Sequence, residues 1–261
     1  MDTLARLSPS KIGTFRACPQ SFAFRYVEGL EEPADRFMIR GTLVHEVCER
    51  LFDLPRPDRC PAMAIALLHR LWEQMVDREP ALRALFRDAA DATDWLTSAE
   101  ALVHTWFALE SPFDLDVEAC ELFVETQPPD GPVLAGIIDR LDRLPDGTWR
   151  ITDYKTNRAP APGWDRRGFF QLRFYAMVVA ASLGLRVTRL RLVHLGDGGE
   201  LLELPFDPDS VDSVDRQVGA LTAAMRLAAD SGRWHANVGR RCDWCAFKPR
   251  CPAWQVPESS S

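Results

Sequence analysis

The order of elements along this 261-residue chain predicts an α/β sheet domain carrying a helical insertion. Three observations predict it. Apolar residues recur at helical spacing from Gly41 to about residue 110. Strand-like alternation takes over at Val117 and covers 117–126, 133–144 and 148–155. A helix, a strand and a last long helix then follow, which completes the pattern of a sheet covered by helices.

Taken in order, Ser8-Pro9-Ser10 reads as a helix start leading into an aromatic-rich segment from Lys11 to about Gly29, with Pro19 interrupting that helix or opening a second. Glu31 to Arg40 reads as a connecting loop. Gly41 to Phe52 is a short helix whose apolar stripe is Val44, Val47, Cys48 and Leu51. Helical periodicity resumes over about 62–110, with breaks near Glu79-Pro80 and from Asp88 to Thr93. Beyond the three strands, 158–163 is a loop of Ala and Pro, about 166–183 a helix, and Val187–Leu195 a strand. Gly196-Asp197-Gly198-Gly199 then turns the chain, and 200–205 is a possible return strand. Asp209 to Asp230 is the final helix. One domain is expected over 1–258, with the helical insertion at about 53–115 and a short basic cysteine segment at 239–254; the serine-rich end, 259–261, reads as a disordered tail.

Composition is that of a globular protein, at 46% hydrophobic and 26% charged residues. No run of 18 apolar residues suggests a membrane span, and no basic-then-apolar leader is evident, so the expected location is the cytoplasm. The net charge of −7 argues against a uniformly basic nucleic-acid coat. It is unevenly spread: 139–191 holds 11 Lys+Arg against 5 Asp, and 53–130 holds 6 Arg against 16 Asp+Glu. Local basicity beside carboxylates suits a polyanionic substrate, although two solvated faces of opposite charge would read the same way.

The stretch from Gly136-Ile137-Ile138-Asp139 through Pro145-Asp146-Gly147 to Asp153-Tyr154-Lys155 places two carboxylates and a lysine on a β-hairpin. Side chains two apart share a face, so Asp139 lies with Ile137 and Leu141, and Asp153 and Lys155 lie with Trp149 and Ile151. Charges on a buried sheet face are costly unless paired or bound to a metal. Only three of the 31 basic residues are lysines, at 11, 155 and 248, which singles out Lys155 for its compact ammonium. An ordinary hairpin with a surface salt bridge would carry the same residues.

Seven cysteines stand at 18, 48, 60, 120, 242, 245 and 251. The last three form C-x2-C-x5-C, a spacing that lets paired thiolates grip one metal centre. Cys18 is the best fourth candidate, and the others read as packing residues. An iron–sulfur cluster is preferred, with zinc as the alternative. Either would join the N-terminal helix to the C-terminus.

Together these pieces resemble the PD-(D/E)XK nuclease superfamily, and within it the RecB-type exonucleases with an iron–sulfur staple, AddB-like and CRISPR-associated exonuclease-like. Cys18-Pro19 with Phe22, Phe24 and Tyr26 looks like the family's cysteine segment, and Gly41-Thr42-Leu43-Val44-His45-Glu46 like its histidine motif. Gly136 to Asp142 looks like the first acidic motif, Asp153-Tyr154-Lys155-Thr156 like D-x-K, Gln171-Leu172-Arg173-Phe174-Tyr175 like Q-x-x-x-Y, and Cys242, Cys245 and Cys251 like the terminal cluster ligands.

The resemblance implies a restriction-endonuclease-like core, with a mixed central sheet flanked by helices and an N-terminal helical region. It implies Mg²⁺ or Mn²⁺ held by His45, Asp139, Asp153 and the Tyr154 carbonyl, oxygen-rich ligands that suit these ions. Lys155 would orient the attacking water or neutralise charge on the phosphate, with Gln171 and Tyr175, four apart on a helix, bracing the site or touching DNA. Asp142 is the more expendable acid, since strand parity puts it opposite Asp139. A 4Fe-4S cluster would sit on Cys18, Cys242, Cys245 and Cys251. The implied activity is a metal-dependent DNA exonuclease working on single strands or ends in repair or recombination. A non-catalytic, nuclease-derived DNA-binding or scaffolding subunit of a helicase–nuclease complex is the alternative. The chain has no G-x-x-x-x-G-K-[ST] loop, so any ATP motor of that kind would come from a helicase partner.

Overall fold

In the computed structural model, Ser8 opens helix α1 (Pro9–Ala17) by accepting the Lys11 backbone N–H on its Oγ at 3.3 Å, with Pro9 in the first turn. Pro19 begins a second helix, α2 (Pro19–Phe22), which runs on as a π-helical turn over Ala23–Val27. The structure describes residues 3–161 and 166–255, with the side chains of 166–168 set aside; the tail expected at 259–261 lies outside the described residues. The chain divides into two compact units. One is built from 1–33, 125–136 and 212–261, the other from 34–124 and 137–211.

In the first unit, strand β1 (Arg6–Leu7) pairs in parallel with the start of β3 (Val133–Arg143), Leu7 opposite Leu134. Helix α7 (Val211–Ser231) buries Val214, Val218 and Met225. Phe15 and Phe22 pack edge-on at 5.7 Å, and Trp234 stacks on Phe22 at 5.6 Å.

The second unit holds the rest of the mixed sheet. β2 (Val117–Thr126) pairs with β3, and β3 runs antiparallel to β4 (Trp149–Lys155). β4 is parallel to β5 (Val187–His194), which is antiparallel to β6 (Glu200–Pro205). Helix α6 (Arg166–Leu183) makes the crossover between the parallel pair, as parallel strands require. The β3–β4 turn closes at Gly147, whose φ of 80° is a conformation that favours glycine.

Helices α3 (Arg36–Arg50), α4 (Pro61–Arg78) and α5 (Ala89–Leu109) share one buried cluster, including Val44, Val47, Leu51, Leu68, Trp95, Val103 and Trp106. Tyr154, Val193 and Leu195 join it from the sheet side. The expected insertion is therefore a packed part of the unit that bears the hairpin.

Two boundaries differ from the sequence expectation. Helix α3 begins at Arg36, inside the stretch read as a loop to Arg40. Asp35 caps it by accepting the Phe37 N–H at 2.9 Å, and the Trp95 indole donates to the Arg36 carbonyl at 3.0 Å. Helix α5 already begins at Ala89, so Thr93 is helical; Asp88 caps it by accepting the Asp91 N–H at 2.8 Å. In both cases a polar cap converted apparent loop composition into a helix start.

Candidate active site

The site gathers where helix α3 crosses the end of β4. Gly41 permits the approach: a Cβ there would stand 3.3 Å from Thr156 Oγ1. One turn later α3 presents His45. Its Nδ1 lies 3.4 Å from Asp139 Oδ2, and its ring meets Tyr154 edge-on at 6.2 Å. Burial lowers the His45 pKa, against the pull of Asp153, so the imidazole is neutral and its lone pair free for a metal.

Asp139 Oδ2 also accepts the Tyr154 backbone N–H at 2.8 Å. Burial, and then the nearby Asp153 charge, push the Asp139 carboxyl well above the usual carboxylate range. Asp153 is 2% exposed. Its Oδ1 accepts from Gln171 Nε2 at 2.8 Å, and its Oδ2 lies 2.6 Å from Lys155 Nζ. Asp153 Oδ2 is thus buried against the Lys155 ammonium, which offsets its charge as an ion pair. Lys155 also donates to Gln171 Oε1 at 3.3 Å. Burial pulls its pKa down, but Asp153 and Asp139 more than offset that and raise it, so it stays an ammonium. Gln171 Nε2 reaches Tyr175 Oη at 3.4 Å, from one turn along α6. The six residues expected to act here thus occupy one cluster, and Gln171 clamps the acid to the lysine.

Glu121 was not foreseen. Its carboxylate, His45 and Asp139 offer ligand atoms within 4.8 Å of one another, the one such group of three among the described residues. Asp153 stands outside that trio, held by Gln171 and Lys155. Glu121 sits at φ 46°, a left-handed conformation within β2 that few non-glycine residues adopt. Burial, then Glu49 and Asp153, raise its pKa. Converging half-buried carboxylates and a neutral imidazole form a donor set that fits a hard divalent cation. No sequence signal marks Glu121, since neither its φ nor its neighbours across the sheet follow from local pattern.

The opposite face of the hairpin has a different role. The buried face expected for Asp139, Asp153 and Lys155 is matched by an opposite face that buries charge as well. Ile137, on the Asp139 face, is 47% exposed, whereas Ile138, Arg140 and Asp142 are all buried to within 1%. Asp142 does lie opposite Asp139, yet it anchors two arginines: Arg140 Nε donates to Oδ1 at 2.7 Å and Arg150 Nε to Oδ2 at 2.9 Å. Arg140 Nη1 bonds Glu110, at the end of α5, at 2.6 Å, and also bonds the Tyr154 hydroxyl. Glu110 further accepts from Trp106, Tyr154 and Arg191 at 2.7, 3.0 and 3.3 Å. Burial works against its charge, but Arg140 prevails and brings its pKa to about 2. The residue between Asp153 and Lys155 is thereby pinned from behind.

In the other unit, Cys18 Sγ accepts the Asn237 backbone N–H at 3.4 Å, and Asn237 Nδ2 donates to the Ala17 carbonyl at 3.1 Å. Phe24 packs at 5.5 Å on Phe247, which lies between Cys245 and Cys251. All four expected ligand cysteines are free thiols.

A sequence model of the PD-(D/E)XK nuclease superfamily matches residues 6–252. No curated protein matches the sequence. Among solved structures, a "Putative exonuclease" from Eubacterium rectale superposes with a TM-score of 0.63 at 12% identity, over 98% of this chain and 91% of that one, a likeness of fold. A second structure, SSO0001, aligns over 84% of this chain and 98% of that one at 18% identity and a TM-score of 0.38, too slight a likeness to bear on the fold. Among the described residues, no helix is long and apolar enough to cross a membrane.

Proposed function

The chain belongs to the PD-(D/E)XK nuclease superfamily, and on that footing we propose that it is a Mg²⁺- or Mn²⁺-dependent deoxyribonuclease, an exonuclease acting on single strands or DNA ends. The observation that carries this reading is the convergence of His45, Glu121 and Asp139 next to the Asp153–Lys155–Gln171 cluster. His45, Asp139, Asp153 and Glu121 would hold the ion, with the Tyr154 carbonyl adjoining them. When bound, the ion supplies the positive charge that the reacting phosphate requires. The Lys155 ammonium, fixed by Gln171, is placed to orient the attacking water and to offset charge growing on a phosphate oxygen. Gln171 and Tyr175 hold Asp153 and Lys155 in register, so that neither needs to reorganise during reaction.

The same reading assigns a 4Fe-4S cluster to Cys18, Cys242, Cys245 and Cys251. Support comes from the C-x2-C-x5-C spacing of Cys242, Cys245 and Cys251 and from the N–H that Cys18 Sγ accepts from Asn237, close before that segment in sequence; zinc on the same four thiols is the alternative. A repair or recombination setting, and a helicase partner supplying the motor, belong to this proposal. The test is cleavage of end-labelled single- and double-stranded DNA with Mg²⁺ or Mn²⁺. Cleavage lost in Asp153→Ala and Lys155→Ala supports it; a cluster-replete protein that binds DNA without turnover would instead be the non-catalytic subunit.

A further inference from the structure

The first two turns of α3 carry a group of side chains that the metal site does not use. Phe37 is 64% exposed and Met38 is 59% exposed. Arg40 lies over the Phe37 ring at 5.5 Å from its centroid, and its Nη1 is fixed by Ser98 Oγ at 3.0 Å. Ser98 is held in turn by the Trp95 carbonyl at 2.6 Å. The neighbouring Arg36 is neutralised by Asp91 at 3.2 Å, whereas no carboxylate within ion-pair distance faces Arg40 among the described residues. Arg40 Nε is buried with no hydrogen-bond acceptor there. Burial, and then the Arg36 charge, lower its pKa, the condition of a cation held ready for an anion.

This group lies on the helix that presents His45. Met38 precedes His45 by seven residues, so the two share a helix face about 10 Å apart along the axis. Gly41, between them, contributes no side chain where α3 passes Thr156. Phe37 and Met38 therefore stand exposed on the helix that bears His45, about two turns before it.

We propose that Arg40 and Phe37, with Met38, form a subsite for the substrate strand beside the scissile position, Arg40 taking a backbone phosphate and Phe37 an unpaired base. The proposal rests on the nuclease reading and names its substrate class as single-stranded nucleic acid. The occupant follows from the chemistry. A guanidinium without a carboxylate calls for an anion, and an exposed ring paired with arginine is a platform on which bases of any sequence stack. A duplex keeps its bases stacked on one another and has none to offer Phe37. An acidic protein segment would satisfy Arg40 but gain nothing specific from Phe37.

The experiment is fluorescence anisotropy with labelled single-stranded and blunt duplex DNA, Ca²⁺ replacing Mg²⁺, across a salt series. Phe37→Ala is expected to weaken single-strand binding roughly tenfold, the scale of one lost base stack, with duplex binding much less affected. Arg40→Ala is expected to lower the slope of log affinity against log salt by about 0.7, one phosphate contact on a single strand; Arg40→Lys is expected to restore it. Phe37→Ser, at a solvent-exposed ring, serves as the second variant if Arg40→Ala melts early. Equal losses on both DNA forms, or unchanged binding and slope in proteins that melt like wild type, would overturn the subsite. A wild-type protein that binds single strands in this way but never cuts them sinks the nuclease reading and leaves the subsite standing.

Discussion

Glu110→Gln isolates the charge that holds the helical insertion to the hairpin bearing Asp139 and Asp153. The Glu110 side chain is 4% exposed and accepts from Arg140, Trp106, Tyr154 and Arg191. Its pKa falls from 4.5 to about 2 because Arg140 outweighs the opposing effect of burial. At about 1.4 kcal/mol per unit, the ionised form contributes on the order of 3 kcal/mol to folding. Glutamine keeps the shape and removes the charge, leaving the buried Arg140 with Asp142 alone, so a loss of about 3 kcal/mol is expected at pH 7. The folded value lies below the unfolded one, so this contribution is complete above about pH 4.5 and fades as pH falls toward 2. By pH 3 the gap between wild type and variant should shrink to about 1.5 kcal/mol. Urea denaturation of both proteins at pH 7, 5, 4 and 3 measures it. A gap that stays constant over this range, or a variant as stable as wild type at pH 7, would refute the assignment of Glu110 as a buried charge partner of Arg140.

Other outcomes follow from the same geometry. Lys155→Ala should lower the single-turnover cleavage rate by about 10²–10³, as loss of one preorganised charge-stabilising group does, with the far-ultraviolet spectrum unchanged. Dialysis against EDTA should abolish cleavage, and Mn²⁺ should restore it and raise the melting temperature, because an ion relieves the repulsion among Glu121, Asp139 and Asp153; at a hundred times its Kd that amounts to about 2.7 kcal/mol. Glu121→Gln should weaken Mn²⁺ binding by calorimetry about tenfold or more, and unchanged affinity would remove Glu121 from the ligand set. Cys242→Ser should lose iron and visible absorbance in anaerobically purified protein, whereas a colourless wild type loaded with zinc would turn the cysteine assignment to the smaller metal.

Residues whose roles depend on near neighbours in the chain could be read from the sequence. Alternation over 117–155 marked β2, β3 and β4, because side-chain period is local geometry, and the turn residues around Gly147 marked the hairpin. Parity placed Asp139 and Asp142 on opposite faces. The D-x-K spacing drew attention to Asp153 and Lys155, and the four-residue spacing of Gln171 and Tyr175 put both on one side of α6. By contrast, the start of α3 depended on a Trp95 indole 59 residues away meeting the Arg36 carbonyl, which composition around Glu31 to Arg40 does not convey. Arg140 stood in plain view within Gly136 to Asp142, yet its partner Glu110 lies 30 residues earlier at the end of α5. Only folding the insertion against the sheet joins them.

Glu121 shows the division most plainly. Sequence by itself determined a hairpin with two acids and a lysine, a histidine on a helix, and a set of cysteines, because each is a short pattern whose meaning survives without the rest of the chain. The tertiary structure decided which carboxylates meet. It turned Glu121, at φ 46°, toward His45 and Asp139, and it committed Asp153 to Lys155 and Gln171. Whether a charge is buried, and with what, is a property of packing between distant segments, and that is the physical reason a list of motifs could name the chemistry but not complete the site.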